Sequence, residues 1–211
     1  MLEECMEGLK PERGGVFFDG TLGGGGHSFE ILRRSSPDGR LIATDLDDEA
    51  IAAARERLKQ FEGRFSIHKS NFKAYEKVLE EEGTAGLDGV MLDFGISSHQ
   101  IDVPERGFSY MCADAPLDMR MDTAAPLTAE DVINEYPQRE LARILKEYGE
   151  EKFAAQIAAN IVKERERKRI KTCGEFSQII EDSIPAKFRQ NGPAARKSFQ
   201  AVRIEVNGEL D

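Results

Sequence analysis

No run of residues in the chain approaches the roughly 18 apolar positions that a membrane-spanning helix needs. The first fifteen residues are acidic and contain no apolar stretch, so no secretory signal and no membrane association are expected. Cysteine is scarce. Cys5, Cys112 and Cys173 stand far apart, form no CxxC pair and, being odd in number, offer no disulfide framework. That pattern predicts reduced thiols in a cytoplasmic protein. Glycine (19) and proline (8) are too few for collagen or a low-complexity linker. The 211 residues suffice for one domain with a real core, or for one domain with a modest insertion.

Positive charge is the scarcer sign. The formal net charge is −10, which taken alone argues against a nucleic-acid binder. The deficit is uneven, however. Residues 163–203 hold eleven basic and five acidic side chains, while both flanks are acidic. One basic stretch therefore runs against the trend.

Four short apolar runs read as strands: residues 15–19, 40–46, 64–68 and 89–94. The first three are each followed by a helical pattern. The clearest covers 47–61, where Ile51, Ala54, Leu58 and Phe61 recur at steps of three and four. Asp47 and Asp48 suit its first turn. Strands alternating with helices predict βαβ units, an α/β fold and a parallel sheet, and the nearly unbroken apolar runs predict strands covered on both faces. Residues 95–126 show no period and read as a long functional loop. Beyond them the chain reads as helices only. Thr128 with Asp131 and Thr172 with Glu175 resemble capping boxes. Pro137 and Gly149 bracket one helix, and further helices are expected over 150–168 and 193–207. Doubly wound sheets usually have five or more strands. Four are visible, and the chain ends after a helix, so either the missing strands lie beyond Asp211 or the sheet is a minimal one.

The strongest local signal is Asp19-Gly-Thr-Leu-Gly-Gly-Gly-Gly-His27, which follows the first strand and opens a helix. Consecutive glycines let backbone approach a ligand closely, and a helix start offers unpaired N–H groups. A Walker A loop needs Lys and then Ser or Thr after its last glycine, whereas His27 and Ser28 follow here. The dinucleotide fingerprint accepts Gly24 and Gly26 but meets Phe29 at its third glycine. The remaining common ligand of such a loop is S-adenosylmethionine; a tight turn that merely needs glycines is the plainer reading. Asp45 ends the second strand, 22 residues after Gly23. A carboxylate there either accepts both hydroxyls of an unphosphorylated ribose or caps the next helix, a task Asp47 or Asp48 also fits. Asp93 ends the fourth strand. Ligands in open α/β sheets sit beyond the carboxyl ends of the strands, so Asp19, Asp45 and Asp93 converge on one crevice. Three acids there call for a cation between them. A sulfonium with an α-ammonium serves; a metal is the rival, but no His or Cys stands at ligand spacing.

Longer motifs carry a resemblance. Gly20-Thr-Leu-Gly-Gly-Gly-Gly-His-Ser28, Leu92-Asp-Phe-Gly-Ile-Ser-Ser98, Glu105-Arg-Gly-Phe-Ser-Tyr110, Pro116-Leu-Asp-Met-Arg-Met-Asp122 and Ser198-Phe-Gln-Ala-Val-Arg-Ile-Glu-Val-Asn207 are similar to signatures of the bacterial RsmH (MraW) family, the 16S rRNA (cytosine-1402-N4)-methyltransferases. The likeness covers nearly the whole chain. It implies a class I, Rossmann-like methyltransferase sheet with an inserted all-helical domain: 1–126 and 190–211 as the methyltransferase part, 127–189 as the insertion. It implies S-adenosyl-L-methionine as cofactor, with contacts at Gly25, Gly26, His27, Asp45, Phe72, Asp93 and Gln100. It implies 16S rRNA, within the small ribosomal subunit, as partner, and leaves a homodimer open. Members of the family begin earlier and continue past the Glu-Val-Asn segment, so this sequence reads as a fragment with its remaining strands missing.

A cytosine N4 amine is a poor nucleophile, and its N–H groups need an acceptor held in place. Asp93 fits, in the place where exocyclic-amine methyltransferases carry Asp/Asn-Pro-Pro-aromatic. The prolines are absent here, and a backbone carbonyl of the 94–98 turn fits as well. A target base must be unstacked. Phe108 and Tyr110 either stack on it or anchor their loop to the core. Lys163, Arg165, Arg167, Lys168, Arg169 and Lys171, joined by Lys187, Arg189, Arg196, Lys197 and Arg203, fit phosphate contacts; cations at a helix end are the plainer reading. His68 and His99 receive no role. Two rivals stand: a nicotinamide oxidoreductase, disfavoured by the missing third glycine, and a non-catalytic RNA-binding module, disfavoured by the acid-lined strand ends.

Overall fold

The structure, a computed structural model, describes residues 2–84, 86–189 and 193–210. Two compact units divide it, Met1–His99 and Gln100–Asp211. The first comprises α1 (Leu2–Leu9), β1 (Val16–Asp19), α2 (Gly26–Arg34), β2 (Arg40–Asp45), α3 (Asp48–Leu58), β3 (Phe65–Lys69), α4 (Tyr75–Glu81) and β4 (Gly89–Met91). The division falls within α5 (Ser98–Asp102). All four strands are parallel, in the order β3-β2-β1-β4, which is the α/β sheet the alternating pattern predicts.

Strand periodicity gives the sheet two faces. Phe17, Leu41, Ala43 and Ile67 bury with Met6, Ile31, Leu32, Ala54 and Leu58 from α1, α2 and α3. Phe18 and Ile42 bury on the other face with Val78 of α4. Each large apolar side chain fully buried in this way contributes about 1.5–3 kcal/mol. Asp47 caps α3, accepting from Glu49 N at 3.1 Å, and so leaves Asp45 to another task.

β4 departs from expectation in two ways. It covers three residues rather than six, because after the bond from Gly20 N to Met91 O (3.0 Å) the next ladder donor, Asp93 N, turns to the Thr21 hydroxyl at 2.7 Å. It is also open on one face, with Val90 51% exposed.

The second unit holds α6 (Ala129–Glu135), α7 (Gln138–Glu147), α8 (Ala154–Arg165), α9 (Cys173–Ser183) and α10 (Arg196–Asn207). Both expected capping boxes form, at Thr128/Asp131 and Thr172/Glu175. α8 starts four residues late because Glu150 adopts φ 49°, outside the helical region. α10 starts at Arg196 rather than 193. The stretch 95–126 is less irregular than expected: α5 and a 3-10 turn at Pro104–Arg106 occupy part of it. The rest is pinned to the helices. Leu117 N donates to Lys171 O (3.0 Å), Cys173 N to Ala115 O (2.8 Å) and Met121 N to Asn207 Oδ1 (2.7 Å). Residues 100–126 and 193–210 therefore belong to the same compact unit as 127–189. The expected domain boundary at 189/190 adjoins residues outside the described set. Cys173 is buried, and burial pushes its thiol up to about 12, away from thiolate chemistry.

Candidate functional site

The register of the sheet sets the site. Asp19, the last residue of β1, pairs with Ala43 on one side and Met91 on the other. Asp45 stands two residues past Ala43, and Asp93 two past Met91. The three acids thus sit at the carboxyl end of the sheet, Asp45 and Asp93 on either side of β1.

Between them runs the glycine loop. Gly23 and Gly25 take positive φ, 49° and 75°, a region that costs other residues about 1–2 kcal/mol. Gly25 caps α2, and a Cβ there would lie 3.1 Å from Ala54 Cβ of α3, so the loop lies directly against α3. Gly23 N donates to Asp45 Oδ2 at 2.7 Å, and Asp47 N donates to Asp45 Oδ1 at 2.9 Å. With the Leu46 N–H as a third backbone donor, the carboxylate still keeps acceptor capacity to spare. Burial raises the Asp45 carboxyl above its ordinary range, partly offset by these N–H bonds.

Asp19 is 1% exposed. Its carboxylate accepts from the Ser28 hydroxyl at 2.6 Å and from Thr21 N at 3.1 Å, tying both ends of the loop to the strand that starts it. Burial raises this carboxyl, against the pull of Ser28 and Thr21. A carboxyl whose folded pKa is raised contributes stability that is full below its unfolded value, about 3.9, and is lost as pH rises through the folded value. Asp19→Asn removes that dependence, and its amide can still accept from Thr21 and donate to Ser28. Melting curves of both proteins from pH 3 to 8 are expected to move in favour of the variant as pH rises above about 4. Parallel curves would mean that Asp19 ionises in the fold without cost.

His27, in the first turn of α2, has a buried Nε2 with no partner. An orphaned ring nitrogen, a glycine cradle and two carboxylates with lone pairs to spare fit a cationic ligand that carries a ribose. Among the described residues no group of three His, Cys, Asp or Glu side chains is placed to hold a metal ion.

A model of the MraW methylase family matches residues 1–211. The chain belongs to this family. A Symbiobacterium thermophilum protein named ribosomal RNA small subunit methyltransferase H is 50% identical over 211 residues, which is 100% of this chain and 66% of that protein. Relatives of the same name from Brevibacillus brevis and Clostridium botulinum (strain Kyoto / Type A2) are 49% identical over 212 residues and 50% over 210. Each match covers 100% of this chain and 67% of the relative. The chain spans about two thirds of the length of the curated relatives it matches.

The first unit of the chain brings together Gly25, Gly26, His27, Asp45, Phe72 and Asp93 at the carboxyl ends of its strands. Phe72 opens a 3-10 turn after β3 and lies beside Gly20, where a Cβ would come 2.8 Å from its own. Gln100 is 5% exposed and falls in the second unit. Phe108 and Tyr110 take the anchoring alternative. Phe108 is 6% exposed under the Arg106 guanidinium, and Tyr110 packs edge-to-face on Phe199 at 5.8 Å. Burial leaves Phe108 no open face for a base.

Four cations of the basic stretch, Arg167, Lys168, Arg169 and Arg203, are paired with carboxylates, and others donate to backbone carbonyls. Arg169 bonds Glu130 and Glu135 at 2.5 and 2.6 Å and reaches Asp131 at 3.4 Å. Lys168 pairs with Glu175, Arg167 with Glu164, and Arg165 Nη1 donates to Ile133 O. Lys197 Nζ donates to Glu150 O, and Arg203 is paired with Glu209. Among the described residues the exposed side chains of Lys163, Lys171 and Arg196 make no ion pair. A cavity of about 640 Å³ lined by α8 and α9 holds Lys163, Lys168 and Arg169, but also Glu164, Glu175 and Asp182, so its charges balance.

Sequence reasoning missed Thr21, Ser28 and Phe94. The two hydroxyls stand inside a motif dominated by its glycines; their signal is their spacing from Asp19 and Asp93. Phe94 has the sequence context of a strand end.

Proposed function

We propose that this methylase transfers the methyl group of S-adenosyl-L-methionine to the N4 amine of cytidine 1402 in 16S rRNA, in the cytoplasm and on the small ribosomal subunit. The relatives' names support ribosomal RNA of the small subunit as substrate. The observation that carries the cofactor reading is the pair of acids, Asp45 and Asp93, set beyond the strands on either side of β1 with the glycine loop between them.

S-adenosyl-L-methionine, when bound, supplies an electrophilic methyl on a sulfonium. The protein's own residues do the rest. Asp45 accepts from the ribose hydroxyls through its spare lone pairs. Gly25 and Gly26 let backbone N–H groups approach, and His27 and Phe72 line the cradle. Asp93 accepts an N–H from the cytosine amine and so directs the nitrogen lone pair, and its negative charge opposes the positive charge developing on N4. Residues 127–189 serve as the helical insertion.

Titration calorimetry with S-adenosyl-L-methionine and with NAD tests the cofactor. Binding of the first alone is expected. Asp45→Ala is expected to weaken it by about 1.5–3 kcal/mol, the range for hydrogen bonds to a charged group, with the fold intact. Unchanged affinity would remove Asp45 from the ribose.

RNA binding rests on the cations that no carboxylate neutralises. Lys163→Gln with Lys171→Gln is expected to flatten the salt dependence of RNA affinity, by up to about 0.7–0.9 for each phosphate that is no longer neutralised, leaving cofactor affinity unmoved. An unchanged slope would make this surface a solvated helix end.

A further inference from the structure

Phe94 is 69% exposed, the most open of the aromatic rings in the first unit, and it directly follows Asp93. It is nevertheless held. Its ring meets Phe72 edge-to-face at 5.5 Å, with 65° between the planes. Phe72 in turn lies beside Gly20 at the end of β1, as Leu92 does. The chain just before Phe94 is fixed by the bond from Asp93 N to Thr21 Oγ1, 2.7 Å. A ring held by one aromatic neighbour and otherwise exposed, one residue from an acid at the strand ends, has the setting of a stacking platform. Adjacent Cα atoms are 3.8 Å apart, so a flat heteroaromatic whose exocyclic amine donates to Asp93 has its ring within reach of Phe94. Aromatic side chains receive unstacked bases in this manner whatever the base identity. Phe108 and Tyr110 are committed elsewhere in their own unit.

We infer that Phe94 is the residue on which the target base stacks while its amine is held by Asp93. This rests on the reading of the protein as an RNA methyltransferase and adds the base-binding residue to it. The rival occupant is a protein segment laid over the apolar strip of Val90, Leu92 and Phe94.

The sequence contains no tryptophan, so Phe94→Trp introduces a unique fluorophore at the platform. The probe is a short single-stranded RNA with one unpaired cytidine, beside the same RNA with an abasic site, each added with S-adenosylhomocysteine present. Quenching by the cytidine RNA and not by the abasic RNA is expected. Emission that ignores the cytidine while anisotropy shows the RNA bound would overturn the inference. Kinetics give a second arm. Phe94→Leu is expected to raise KM for RNA about ten- to a hundredfold, the range for one lost base stack, with cofactor affinity unchanged and Phe94→Tyr restoring the wild-type KM. If wild type transfers methyl to RNA and Phe94→Leu does so with the same KM, the strip is a protein-covered surface and Phe94 is not the platform. If wild type transfers nothing to any RNA, it is the methyltransferase reading that fails, and the fluorescence arm still reports on the platform.

Discussion

Asp93→Asn is expected to slow methyl transfer by on the order of 10²-fold when RNA and cofactor are both saturating, as for other positioned polar groups. The substitution keeps the size of the side chain and one acceptor oxygen but loses the charge. A residue that only holds the cofactor loses affinity on such a change while saturated turnover survives. A residue that also accepts an N–H from the amine loses turnover, because that bond strengthens as positive charge develops on the nitrogen. The backbone around Asp93 is set by Thr21 rather than by its own carboxylate, so the exchange leaves the loop in place. Single-turnover methyl transfer decides between the two. A rate within a factor of about two of wild type would leave Asp93 a binding residue and pass the acceptor role to a carbonyl of the turn that follows.

Gly107→Ala is expected to be the most damaging single methyl group in the second unit. Gly107 sits at φ 69° at the end of the Pro104–Arg106 turn, and a Cβ there would lie 2.2 Å from Pro116 O and 2.8 Å from Asp118 N. Both obstacles are backbone and cannot rotate away. The left-handed conformation costs about 1–2 kcal/mol, and forcing the two segments apart adds about 1–3. The sum corresponds to a fall in melting temperature of roughly 4–20 °C for a chain of this size. Gly63→Ala is the control. It shares the positive φ, 83°, but nothing lies within 4 Å of its Cβ, so only the conformational part applies. Equal losses for the two variants would show that Pro116 and Asp118 give way freely.

Local chemistry made much of the fold legible. The two capping boxes, the three βα units and the cap at Asp47 each depend on residues within a few positions of one another, and each forms. What escaped depends on distant partners. Leu92 to Phe94 look like strand, yet the ladder ends at Met91 because a hydroxyl from the first βα turn takes the next donor. Arg169 looks like an RNA contact until Glu130, Asp131 and Glu135, more than thirty residues earlier, fold around it. Phe108 has the composition of a stacking residue and the burial of a core one. At the site, the strand-end acids could be read because strand ends and glycine loops are sequence-local; the platform at Phe94 could not, because exposure is a property of the folded surface.

The bond from Gly23 N to Asp45 has a kinetic consequence. With Asp45 holding its middle and Asp19 both its ends, the glycine loop is held in place by the protein's own hydrogen bonds. The entropy of fixing those flexible residues is lost during folding and not again at binding. Association with a small molecule then has no loop closure to wait for, and differences in affinity among ligands of this cradle arise in how slowly each one leaves.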